Sequence, residues 1–94
     1  MTYRIVFSRA AEKDLARVSN RATLRRLVRA IEALADEPRP AGARKLRSAT
    51  SIWRIRVGDW RVCYTIEDDE LLVLVLTAAR RGNVYERLRK RLSK

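Results

Sequence analysis

The chain has 94 residues, with 22 Lys or Arg, 11 Asp or Glu and no His, for a formal charge of +11. That length allows one domain with a modest core and excludes a second domain or a deep enclosed pocket; an apolar content of 47% excludes a disordered basic tail. The lone Cys63 excludes an internal disulfide and a cysteine-based metal cluster. No apolar run reaches the roughly 18 residues of a membrane span, and none resembles a signal segment, so a cytoplasmic, reducing setting is the expectation.

Tyr3, Ile5 and Phe7 alternate with their neighbours and predict a first strand. Ser8 is an N-cap candidate for a short helix through about Val18. Asn20 caps a longer second helix, in which Leu24, Leu27, Val28, Ile31, Leu34 and Ala35 keep i, i+3, i+4 spacing. Arg21, Arg25, Arg26 and Arg29 fall on its outer face, and Pro38 and Pro40 end it before a loop through Gly42.

Residues Ile52 to Tyr64 form the most informative stretch. Two alternating runs flank Gly58-Asp59, the pattern of a two-residue β-hairpin. With Val57 opposite Trp60, one face carries Trp53, Ile55, Val57, Trp60, Val62 and Tyr64, and the other carries Arg54, Arg56 and Arg61. Opposed like charges are destabilising, so three guanidinium groups on one face invite an anionic ligand such as phosphate. Cys63 falls within the strand pattern as a small buried filler. Glu67-Asp68-Asp69-Glu70 makes an acidic turn, and the six apolar residues Leu71 to Leu76 predict a central strand covered on both faces. Gly82-Asn83 precedes a final amphipathic segment, Val84 to Leu92. The order is β-α-α-β-β-β-α: an α+β fold with an antiparallel sheet, two N-terminal helices on one face and a short C-terminal helix.

The excess charge is clustered. Residues 44–61 hold Arg44, Lys45, Arg47, Arg54, Arg56 and Arg61 against Asp59. Residues 80–94 hold seven basic side chains against Glu86, and the remainder of the chain is balanced. Such clustering is the electrostatic footprint of a nucleic-acid binder, or less often of an acidic protein partner.

The segments Arg44-Lys45-Leu46-Arg47, Trp53 to Tyr64 and Arg80-Arg81-Gly82-Asn83-Val84-Tyr85, in that order and spacing, resemble the RelE/ParE toxin superfamily of bacterial type II toxin–antitoxin systems. The resemblance spans residues 1–94 as a single RelE-like toxin domain. It implies a ribosome-dependent endoribonuclease, an mRNA interferase that cuts mRNA in the ribosomal A site and so inhibits translation. It also implies neutralisation by a cognate antitoxin, operator DNA as a partner only of the toxin–antitoxin complex, and no cofactor, metal or membrane. Carried over residue by residue, it places the catalytic positions at Arg54, Arg56, Arg61, Arg81 and Tyr85, and further RNA contacts at Arg44, Lys45, Arg47 and Arg80. Arg54 and Arg61 would neutralise the scissile phosphate, Arg81 would assist the leaving oxygen, and Tyr85 would stack on a base or orient the 2′-hydroxyl.

Guanidinium groups match phosphate oxygens bidentately and stabilise a phosphorane. They are poor proton acceptors, because arginine stays protonated, and no histidine is present. Better-known nucleases of the superfamily carry lysines at the positions of Arg54 and Arg56, so the general base is unassigned. Each site residue has a plainer alternative: Tyr85 as core, Arg54 paired with Glu67 or Asp69, Arg81 on a carboxylate, and Trp53 and Trp60 as core. Two rival functions share the fold: a ParE-like inhibitor of DNA gyrase, and a catalytically weak module that binds antitoxin and nucleic acid.

Overall fold

The computed structural model describes residues 2–46 and 49–80, with backbone alone at 49 and 50. Five strands and two helices follow in the order β1 (Arg4–Phe7), α1 (Arg9–Ala16), α2 (Arg21–Ala33), β2 (Arg44–Leu46), β3 (Ala49–Val57), β4 (Trp60–Glu67) and β5 (Leu72–Arg80). The strands form one sheet in the order β1-β5-β4-β3-β2. The architecture is the expected α+β, with two additions. Strand β2, a short basic edge, carries no hydrophobic alternation by which a sequence reading detects strands. The sheet is also mixed, because β1 runs parallel to β5 while every other pair is antiparallel. The predicted C-terminal helix lies outside the described residues.

Both helices start where the sequence supplies a cap. The Ser8 hydroxyl accepts from the Ala11 amide at 3.0 Å, and the Asn20 side chain accepts from the Thr23 amide at 3.0 Å. The apolar stripe of α2 then buries Leu27, Ile31 and Leu34 against Ile55, Val62, Tyr64, Val73, Val75 and Ala78 of the sheet. Tyr64 is fully buried there, and its hydroxyl donates to the Pro38 carbonyl at 2.7 Å, fixing the loop that leaves α2. A smaller cluster of Leu46, Ile52, Cys63 and Ala79 marks the opposite sheet face.

The helix layer is locked to the sheet at one irregularity. The β4–β5 register passes from Tyr64↔Val75 to Cys63↔Thr77, so β5 carries one extra residue, Leu76. The Ser8 hydroxyl donates to the Leu76 carbonyl at 3.0 Å. Immediately beyond, the carboxylate of Asp14, only 3% exposed, accepts from the Thr77 hydroxyl at 2.7 Å and from the Ala78 amide at 3.1 Å. A buried carboxylate that takes two donors at a bulge orients the last third of β5. Among the described residues no helix is long and apolar enough to cross a membrane.

Removing this acceptor strands two buried donors. Asp14→Ala is expected to cost about 2–3 kcal/mol, the penalty for a lost charge-assisted hydrogen bond and an unsatisfied buried group. Asp14→Asn, which keeps one acceptor oxygen, should cost less. Equilibrium urea unfolding of both variants checks the order.

Candidate functional site: an arginine face

Gly58 adopts φ +61° and Asp59 a negative φ, the pattern of a type II′ turn with glycine first. This turn sets the β3–β4 register of Val57↔Trp60, Arg56↔Arg61, Ile55↔Val62, Arg54↔Cys63 and Trp53↔Tyr64. Directly opposed residues share a face, so Arg54, Arg56 and Arg61 come together on the side away from the helices, as the alternation predicts. Strand β2 adds to this face, because Arg44 lies opposite Arg54. The face therefore carries two rungs of opposed arginines, Arg44–Arg54 and Arg56–Arg61, in the cross-strand arrangement that like charges disfavour.

The four differ in freedom. Arg44 and Arg56 are exposed and Arg54 is half-buried. Arg61 is 7% exposed, and one of its terminal nitrogens donates to the carbonyls of Trp60 at 3.1 Å and Gly58 at 3.4 Å. The turn thus holds Arg61 in place while its neighbours reach outward. The one ion pair among the described residues joins Arg39 to Asp68 at 2.8 Å, with Tyr3 donating to the same carboxylate at 2.6 Å. Hydrogen bonds from Arg39 and then from Tyr3 hold the Asp68 carboxyl below its usual range. Neither Glu67 nor Asp69 takes up Arg54, so the acidic turn does not neutralise the face.

Cys63 sits beneath the arginines with no exposed surface. Burial pushes its thiol up to about 11, against an opposing pull from the Arg54 guanidinium. It is a filler, as its strand position predicts, and supplies no base near neutral pH. Tyr64, on the helix side, is pushed by burial to about 12.

Two of the expected RNA-contact positions lie elsewhere. Lys45 is opposite Trp53 and places its ammonium 5.4 Å from the indole centroid, on the helix side of the sheet. Arg80 is opposite Trp60 and holds its guanidinium 5.9 Å from that ring, on the same side. Arg39 approaches Trp53 at 5.5 Å as well. The indoles, expected as core, pack half-buried against it and also carry these cations. Arg47, Arg81 and Tyr85 lie outside the described residues. Arg26 of α2 escaped sequence reasoning. It faces Gly58, where an added Cβ would lie 3.6 Å from its guanidinium nitrogens. Its charge was legible, but its nearness to the hairpin tip comes only from the packing of α2 across the sheet.

The family model described as ParE toxin of type II toxin–antitoxin system, parDE, matches residues 5–85. Among solved structures, the chain is similar to the archaeal RelE–RelB complex from Pyrococcus horikoshii. That match has 29% identity and a TM-score of 0.74, covering 87% of this chain and 98% of that one. It is also similar to the toxin–antitoxin complex RelBE2 from Mycobacterium tuberculosis, at 25% identity and a TM-score of 0.76 over 87% of this chain and 94% of that one. The free Escherichia coli toxin RelE, as a mutant, shares the fold at 22% identity, with a TM-score of 0.77 over 97% of this chain and 98% of that one. Among curated proteins no sequence matches the chain.

The burial of Cys63 makes a pH prediction. An unfolded thiol ionises near pH 8.5, whereas the folded one does so near 11. The stabilisation is fully present below the lower value and is lost as pH rises between the two. Urea unfolding should therefore show a decline from about pH 8.5 that is shallower in Cys63→Ser. Native protein should also react with a thiol reagent at pH 8 only at its rate of opening.

Proposed function

This chain belongs to the ParE toxin family of type II toxin–antitoxin systems, and we propose that it is a RelE-like toxin that cleaves mRNA in the ribosomal A site under the control of a cognate antitoxin. The observation that carries this reading is the pair of opposed arginine rungs, Arg44–Arg54 and Arg56–Arg61, on one sheet face. A sheet gains nothing in stability from such rungs, and a polyanion threaded between them converts the repulsion into charge-assisted hydrogen bonds.

In RNA cleavage by internal attack, the 2′-oxygen bonds to phosphorus and the bond from phosphorus to the 5′-oxygen breaks. The 2′ proton departs, the 5′-oxygen receives one, and a cyclic phosphate and a 5′-hydroxyl result. Charge builds on the phosphorane oxygens. Arg61, anchored by the turn carbonyls, is preorganised for that charge, and Arg54 and Arg56 add donors from the neighbouring strand. Arg81 would serve the leaving oxygen and Tyr85 a base or the 2′-hydroxyl, as the family resemblance implies.

The face is rich in charge stabilisers and poor in bases, since the chain has no histidine and Cys63 is buried with its thiol near 11. A toxin of this make-up relies on positioning, for which an oriented RNA is worth many orders of magnitude. This supports dependence on the ribosome, whose decoding site presents the message in a fixed geometry. The cognate antitoxin would neutralise the basic surface and bring operator DNA to the complex. The similarity to RelE–RelB and RelBE2 complexes supports an antitoxin partner.

The family's description as ParE toxins favours one second reading, inhibition of DNA gyrase without RNA cleavage. Mapping mRNA 5′ ends in cells expressing the chain separates the two. Cleavage at A-site codons should fall about 10²–10³-fold in Arg61→Ala, the cost of removing one preorganised oxyanion donor. An SOS response with intact mRNA would select the gyrase reading. Naked RNA should be cut far more slowly than ribosome-bound message by the purified protein.

A further inference from the structure

On the helix side of the hairpin tip lies an open cleft of about 250 Å³, lined by Thr23 and Arg26 of α2, Asp59 of the turn, Trp60 of β4 and Arg80 of β5. We propose that this cleft is a single-nucleotide subsite, holding one nucleotide of single-stranded RNA that flanks the nucleotide cleaved on the arginine face. The proposal rests on the RNA-cleavage reading and names a site that shares only Arg80 with the residues assigned to it.

Three features select a nucleotide. The Trp60 indole lines the cleft and carries the Arg80 guanidinium over its ring, 5.9 Å from the centroid; a base can stack on the guanidinium plane of such an aromatic–arginine pair, a sequence-tolerant platform of single-strand binders. Arg26 and Arg80 supply two cations for the phosphates, and among the described residues neither forms an ion pair, since the one ion pair there is between Arg39 and Asp68. The volume falls below the roughly 300 Å³ at which pockets for drug-sized ligands begin, which suits one base with its phosphate and excludes a helix. An acidic peptide would use the cations but gain little from the indole.

Position supports continuity with the arginine face. Trp60↔Arg80 and Arg61↔Ala79 are adjacent rungs of the same ladder, about 3.3 Å apart along the strand. Arg61 moreover donates to the Trp60 carbonyl. A strand of RNA that leaves the scissile phosphate at Arg61 reaches the cleft by turning around the hairpin tip. Asp59, exposed at that tip, is the one negative charge in the lining and sets an upper limit on phosphate affinity.

The test uses a 2′-O-methylated hexanucleotide, which cannot be cleaved, titrated into the purified full-length protein. Trp53→Phe leaves Trp60 as the only tryptophan, and its fluorescence should quench saturably with the oligonucleotide. Polarisation of a labelled oligonucleotide against the otherwise unaltered chain should show about tenfold weaker binding in Arg26→Ala and tighter binding in Asp59→Asn. Arg26 is exposed, so its removal does not threaten folding. Oligonucleotide binding that leaves Trp60 emission and Arg26→Ala affinity unchanged overturns the subsite. Quenching by oligoglutamate at the same concentrations also overturns it, in favour of an acidic protein segment. If mRNA cleavage is lost in Arg61→Ala while Trp60 stays silent, the subsite alone fails. If cleavage is absent in the unaltered protein, the ribonuclease reading fails.

Discussion

Everything functional in this molecule depends on the two-residue turn at Gly58-Asp59. A strand alternates its side chains with a period of two, so a one-residue slip would turn every side chain of β4 to the wrong face. With Val57 opposite Trp60, the apolar residues of both strands enter the core beneath α2, and the arginines are left opposed on the other side. Core and site are thus two readings of a single register. The positive φ of Gly58 permits the turn, and the carbonyls on either side of Asp59 hold Arg61.

The burial of the core supplies what the arginine face lacks. Repulsion between opposed guanidiniums is modest, roughly 0.2–1 kcal/mol per rung, against about 1.5–3 kcal/mol for burying each large aliphatic side chain. Leu27, Ile31, Leu34, Val62, Val73 and Val75, all essentially inaccessible, therefore outweigh two unfavourable rungs many times over. Asp14 and Ser8 extend the same logic to β5. By taking the Thr77 hydroxyl and Ala78 amide, and by donating to the Leu76 carbonyl, they fix the strand just beyond its bulge. That is the strand whose end delivers Arg80 to Trp60.

The hairpin, its register, both helix caps and the arginine face were legible in the sequence because each follows from local periodicity or from a residue with a fixed stereochemical use. Ser8, Asn20 and Gly58 each have one such use, and each serves it. Strand β2 was missed because three residues at a basic edge have no period to detect. The parallel β1–β5 pairing was missed because it joins segments some seventy positions apart. The displacement of Lys45 and Arg80 to the helix side was readable in principle, since each is one residue out of phase with Arg44 or with the face of Arg61. Arg26 was visible as a surface charge, but its position over the hairpin tip depends on how α2 crosses the sheet, which no local pattern encodes.

The central claim is that opposed arginines are retained for an anion at the expense of stability. Its most direct test is thermal unfolding of the wild-type chain and Arg56→Gln at low ionic strength, with and without inorganic phosphate. Arg56 is exposed, so the substitution removes charge from the Arg56–Arg61 rung without disturbing the core. Arg56→Gln should melt higher than wild type in the absence of phosphate, by up to about 4–8 °C per kcal/mol relieved in a domain of this size. Phosphate should then raise the wild-type midpoint more than that of the variant. Arg56→Gln melting at or below wild type, with equal gains from phosphate, would contradict the account.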